Sequence, residues 1–134
     1  MDLKYKILLI KIVYLIGFIL DGLTAIDMIL STFMPTAIAI PYASMTPSFQ
    51  FAMGWGASLM LGWTVLLLWG LIKPVERRVI LLFTIIPVVL GLAITELLIN
   101  PSFFMSMLIF QFCFIIPLFI TGYILSMLVD KNDV

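Results

Sequence analysis

Polar side chains are so sparse along this chain that its plainest feature is four long apolar runs. They cover Ile7 to Met34, Phe49 to Ile72, Val75 to Ile99 and Phe103 to Val129. A helix needs about 20 apolar residues to cross a hydrocarbon layer of ~30 Å, and each run is long enough. None alternates with the period of a strand, and a backbone immersed in lipid must satisfy its own hydrogen bonds, so helices are predicted. The expected fold is all-α: a polytopic, up-down bundle of four transmembrane helices, with residues 1–134 forming a single transmembrane domain. The first run opens like a secretion signal, with Lys4 and Lys6 ahead of it and small residues at Ala37-Ile38-Ala39. A signal peptide's apolar region runs only ~7–15 residues, and here Asp21 and Asp27 interrupt a longer stretch, so it is read as a retained helix.

Composition sharpens this picture. The chain is 64% hydrophobic and 10% charged, with a mean hydropathy of +1.29, whereas soluble domains are roughly 45–50% apolar and about 25% charged. A soluble enzyme is excluded. Seven basic residues balance seven acidic ones, so no basic field exists for nucleic acid. With no histidine and one cysteine, His-ligated metals, Cys/His zinc sites, c-type haem, disulfide frameworks and His-based triads all drop out, and no metal or cofactor is expected.

The positions of the charges say more than their sum. Lys4, Lys6 and Lys11 open the first run, Lys73, Arg77 and Arg78 bracket the link between the second and third, and Lys131 follows the fourth. All of them fall on one side of an up-down bundle, which predicts a multi-pass protein of the cell or plasma membrane with both termini cytoplasmic. Trp55 and Trp69, with Tyr5, Tyr14 and Tyr123, are placed to anchor at the interfaces. Arg77 and Arg78 can meet anionic lipid, although topology alone accounts for them.

The two halves share a pattern. Gly22-Leu23 is followed by Asp27, and Gly91-Leu92 by Glu96 at the same spacing; Pro47-Ser48-Phe49 opens the second run and Pro101-Ser102-Phe103 the fourth, with Met53 and Met107 at matching positions. We read this as a duplicated helical hairpin in parallel orientation, its pseudo-axis along the membrane normal. The first half carries an insertion between Met28 and Thr46 with Pro35 and Pro41, uncharged and fairly apolar, expected to lie among headgroups or over the mouth of the bundle.

With Glu76 in the basic link, Asp21, Asp27 and Glu96 are the acids placed inside the membrane, where a charge costs at least ~2.5–3.5 kcal/mol, so such groups mark function by default. At ~1.5 Å per residue, Asp27 and Glu96 lie about 5–8 Å from the outer boundary, and Asp21 some ~9 Å deeper. Gly17, Asp21, Thr24, Asp27 and Ser31 fall on an arc of about 120°. The repeat predicts Asp27 and Glu96 facing each other in an acidic cavity, with Gln111 about 12 Å below the outer boundary supplying an amide and Thr24 and Thr95 supplying hydroxyls. Such a cavity suits a small cation, a proton or an amphipathic amine. The structural alternative is wetted or protonated acids acting as packing glue. Pro87 and Pro117 sit mid-run and can kink their helices. Gly54, Ser58 and Gly62 recur every fourth residue as a groove for a helix, in the monomer, a homodimer or a partner subunit. Cys113 and the methionines are read as apolar filler.

In size and helix number the chain resembles the small multidrug exporters, but the motif around the glutamate of their first helix is absent. The local signatures of emopamil-binding and sigma-2-type proteins and the Gly-x-Gly-Asp of intramembrane aspartyl proteases are absent too, so no residue is carried over. Three functions follow in order: binding or transport through the acidic cavity, a structural or assembly subunit of a membrane complex, and a lipid- or isoprenoid-modifying enzyme using paired carboxylates.

Overall fold

The computed structural model of the chain describes residues 2–34, 46–100 and 102–129. Among them every regular element is helical: α1 (Leu3–Phe33), α2 (Pro47–Ile72), α3 (Val79–Ile99) and α4 (Met105–Met127), each long and apolar enough to cross a membrane. The insertion around Pro35 and Pro41, and the small residues at 37–39, lie outside the described residues.

Helix ends depart from the apolar runs because capping, not apolarity, sets them. α1 begins ahead of its run: the Asp2 carbonyl accepts the Tyr5 and Lys6 N–H groups. At α2 the Thr46 hydroxyl accepts the Phe49 N–H at 3.4 Å and its carbonyl the Gln50 N–H at 3.0 Å. Pro47 takes the first helical position, where its missing N–H costs nothing. The same hydrogen-bond pattern recurs before α4, where Asn100 Oδ1 accepts the Phe103 N–H at 3.2 Å and the Asn100 carbonyl the Phe104 N–H at 3.2 Å. Pro74 stops α2, and α3 starts only at Val79 because residues 74–78 form turns. Pro74 and Val75 are buried in that link.

Two stretches are wound as π-helix: Thr84–Leu90, which contains Pro87, and Gln111–Ile115, just ahead of Pro117. The cause is proline. It brings no N–H to the carbonyl four residues back and its ring crowds that carbonyl, and a wider turn lets a later N–H take over. In the second stretch the Ile116 N–H, one residue ahead of Pro117, reaches the Gln111 carbonyl five residues back.

The chain divides into two compact units, Met1–Tyr14 with Gly70–Val134, and Leu15–Trp69. In the first, Tyr14 is fully buried, its hydroxyl donating to the Arg77 carbonyl at 2.8 Å and its ring lying where a side chain at Gly70 would be. Tyr14 is therefore a packing residue and not the lipid-facing anchor expected; Tyr5, Trp55 and Trp69 are exposed. Gly122 gives Val13 room, since a Cβ there would meet Val13 Cγ1 at 2.9 Å. Ile85, Val89 and Ala93 on α3, and Leu108 and Phe119 on α4, complete the apolar rows.

In the second unit α1 and α2 approach through Gly22, whose Cβ would lie 3.5 Å from Thr64 Cγ2, and through Gly56, which faces Met28. Ala25 and Ala57 are buried, and Gln50 Nε2 donates to the Thr32 carbonyl at 3.0 Å. The groove expected of Gly54, Ser58 and Gly62 is not used here: a Cβ at either glycine would meet nothing within 4 Å. Ser58 is exposed.

Candidate functional site

Glu96 and Gln111 occupy positions that their helices otherwise give to apolar residues. On α3 the buried row runs Ile85, Val89, Ala93, Glu96, and on α4 it runs Leu108, Gln111, Phe119. Their exposures are 6% and 8%, so both side chains have left water. Gln111 Nε2 lies 3.2 Å from Glu96 Oε1 and 3.1 Å from Oε2, straddling the carboxylate. Helical side chains lean towards the N-terminus of their own helix. Glu96 therefore leans away from the α3–α4 turn and Gln111 towards it, and the two close the gap that a count along the backbone leaves between them.

A carboxylate in an apolar surround must be hydrogen-bonded or neutralised. The amide supplies the donor, a charge-assisted bond of about 1.5–3 kcal/mol. The amide nitrogen faces Glu96, where it meets both carboxyl oxygens as acceptors. The consequence falls on the other end of the amide: Gln111 Oε1 is buried with no hydrogen-bond partner. An unmet buried acceptor costs about 1–3 kcal/mol, so the arrangement holds acceptor capacity in reserve.

Asp21 shares this property in the second unit. It lies on a row with Gly17 and Ala25, both buried, and its Oδ2 is buried and without a partner. The polar arc expected on α1 is thus displaced: the buried row passes through Ala25, while Thr24 is exposed. Asp27 is half-buried, and its carbonyl accepts the Ser31 hydroxyl at 2.7 Å. Asp27 belongs to the second unit and Glu96 to the first.

The hydroxyl candidates turn to their own helices. Thr24 donates to the Leu20 carbonyl at 2.9 Å and Thr95 to the Gly91 carbonyl at 2.9 Å, and Thr95 is exposed. Ser58, Thr64, Thr84 and Thr121 bond four residues back in the same way. This is how a hydroxyl satisfies itself where water is scarce; Glu96 and Gln111 instead meet side chain to side chain. Among the described residues, no group of three or more His, Cys, Asp or Glu could hold a metal ion. Sequence reasoning gave Arg78 a contact only with anionic lipid and Lys6 none; both reach the end of α4, Lys6 to the Leu128 carbonyl at 3.4 Å and Arg78 to the Ser126 carbonyl at 3.3 Å. Their only signal in the sequence is basic charge.

Comparison of the chain with protein-family models, with curated proteins and with solved structures gave no match.

Proposed function

We propose that this chain is a multi-pass integral membrane protein that binds or transports a cation, a proton or an amphipathic amine through carboxylates within its spanning helices. The observation that carries the reading is the buried Glu96–Gln111 pair with its unmet amide oxygen. A carboxylate beside an uncommitted carbonyl oxygen is a set of acceptors, and what it attracts is positive charge or N–H and O–H donors. Asp21, with an uncommitted oxygen of its own, brings the same chemistry to α1. Intramembrane acids are costly enough that a role for them is the default.

Membrane placement rests on the length and apolarity of the four helices. The basic residues, all on one side of an up-down path, support a cytoplasmic position for both termini. Duplication of the hairpin is supported by the paired motifs and by the matching caps at Thr46 and Asn100.

The test is a thermal-shift titration of the detergent-solubilised full chain with sodium, potassium, ammonium and dodecylammonium chlorides at constant ionic strength, and with pH. At least one series should stabilise the protein saturably, by about 2.7 kcal/mol at a hundredfold excess over Kd. The shift should vanish in Glu96→Gln, which keeps the shape. No saturable shift, or an equal shift in Glu96→Gln, refutes the reading.

A second reading, a subunit that assembles through α2, is favoured by the open space over Gly54 and Gly62. It commits to close helix–helix contact with a second copy or a partner helix. Gly62→Ile should then dissociate the assembly and leave the carboxylate titration unchanged.

A further inference from the structure

Two cations from distant parts of the sequence reach backbone carbonyls at the C-terminal end of α4. Lys6 Nζ donates to the Leu128 carbonyl at 3.4 Å and Arg78 Nη1 to the Ser126 carbonyl at 3.3 Å. Carbonyls at a helix C-terminus lack intrahelical donors and favour positive charge, which accounts for one donor of each side chain. An ammonium has three donors and a guanidinium five, so most of their capacity stays uncommitted. Neither side chain pairs with an acid among the described residues, whereas Lys73 is matched by Glu76 at 2.9 Å. The two carbonyls they contact lie two residues apart, and an anion that reaches both like charges turns their mutual repulsion into attraction.

The surroundings indicate what kind of anion. The two cations lie where three apolar helices of the first unit begin or end, and Leu3, Val79 and Met127 are exposed there. A phosphate attached to acyl chains satisfies both features, because the headgroup meets the cations while the chains cover the apolar side chains. We propose that Lys6 and Arg78 form a seat for the phosphate of an anionic phospholipid on this end of the first unit. The seat rests on the membrane reading and is independent of the carboxylate site.

The full chain in neutral detergent is titrated with phosphatidylglycerol and, separately, phosphatidylcholine, and bound lipid is counted by native mass spectrometry. A juxtamembrane basic residue contributes about fivefold in affinity for anionic lipid. Phosphatidylglycerol should therefore bind about twenty-fivefold tighter than phosphatidylcholine, and Lys6→Gln with Arg78→Gln should abolish that preference. Lys73→Gln removes a single positive charge from outside the seat, one already paired with Glu76, and should change the preference less than twofold. Wild-type preference should also fall as salt rises from about 0.05 to 0.5 M, a check that needs no variant to fold. Inorganic phosphate at millimolar concentration should not compete; effective competition would make the ligand free phosphate and overturn the lipid assignment. Absence of a preference, its survival in the double variant, or an equal loss in Lys73→Gln would each overturn the seat.

Discussion

At the residue scale the question is whether Glu96 and Gln111 act together or merely lie side by side. Removing the donor alone leaves a buried carboxylate unbonded, which is the expensive half of breaking a polar pair. Removing both replaces the pair with apolar volume. Gln111→Leu should therefore cost about 1–3 kcal/mol, and Glu96→Leu with Gln111→Leu together should be near neutral. A double-mutant cycle by thermal or denaturant unfolding in detergent measures the coupling, expected at about 1–3 kcal/mol, and additive single effects would show that the two side chains do not depend on each other. The sequence made both residues conspicuous, as polar side chains in apolar runs. It paired Glu96 with Asp27 through the repeat, and nothing in the repeat supplies Gln111 with a counterpart: aligning Pro101 on Pro47 sets Gln111 on Ala57, which is buried. The amide contact depends on side-chain direction within one hairpin, which a count of depth along the backbone does not contain.

At the scale of the element, helix packing is decided by which glycines carry a neighbour. Replacing a mid-helix glycine by alanine gains about 0.5–1 kcal/mol of backbone entropy, while overpacking a filled contact costs about 1–3 kcal/mol. At Gly70 the neighbour is the Tyr14 ring, tied down by its bond to Arg77, and at Gly122 it is Val13, a branched side chain. Overpacking wins at both, so Gly70→Ala and Gly122→Ala should lower the unfolding temperature. At Gly56 the neighbour is the mobile end of Met28, and at Gly54 and Gly62 there is none. Alanine there should be neutral or stabilising in the monomer. A scan giving equal losses at all five positions would mean that the contacts do not discriminate between them. The length and apolarity of the runs revealed the helices. They did not reveal the face α2 uses, since small residues lie on more than one of its faces and the sequence favoured Gly54, Ser58 and Gly62. The π-turns were only half legible: Pro87 and Pro117 announce a disturbance, and its form follows from which later N–H takes the abandoned carbonyl. Among the described residues the first half has no such turns, and under the repeat alignment Pro87 and Pro117 fall on Phe18 and Trp63, which keep their N–H groups.

At the scale of the whole molecule, the four apolar helices and the sorting of charge make one joint claim about crossing. If basic residues hold their segments in the cytoplasm, each helix must traverse and return. The N-terminus, the Lys73–Arg78 link and the C-terminus then share one side, and the links before Pro47 and Pro101 share the other. The single cysteine makes this measurable, because Cys113→Ser gives a background in which every introduced thiol is unique. Exposed positions suit the probe: Asp2 and Glu76 for one side, Ser48 and Ser102 for the other. A membrane-impermeant maleimide applied to intact cells should label Ser48→Cys and Ser102→Cys, and should reach Asp2→Cys and Glu76→Cys only after permeabilisation. Labelling of Glu76→Cys in intact cells would place the basic link outside and overturn the orientation. Labelling of only one of the two serine positions would break the up-down path itself. The lipid seat depends on the same outcome, since anionic lipid of the cytoplasmic leaflet reaches Lys6 and Arg78 only if that end faces inward. The carboxylate pair does not, because its chemistry is set within the α3–α4 hairpin whichever way the hairpin is threaded.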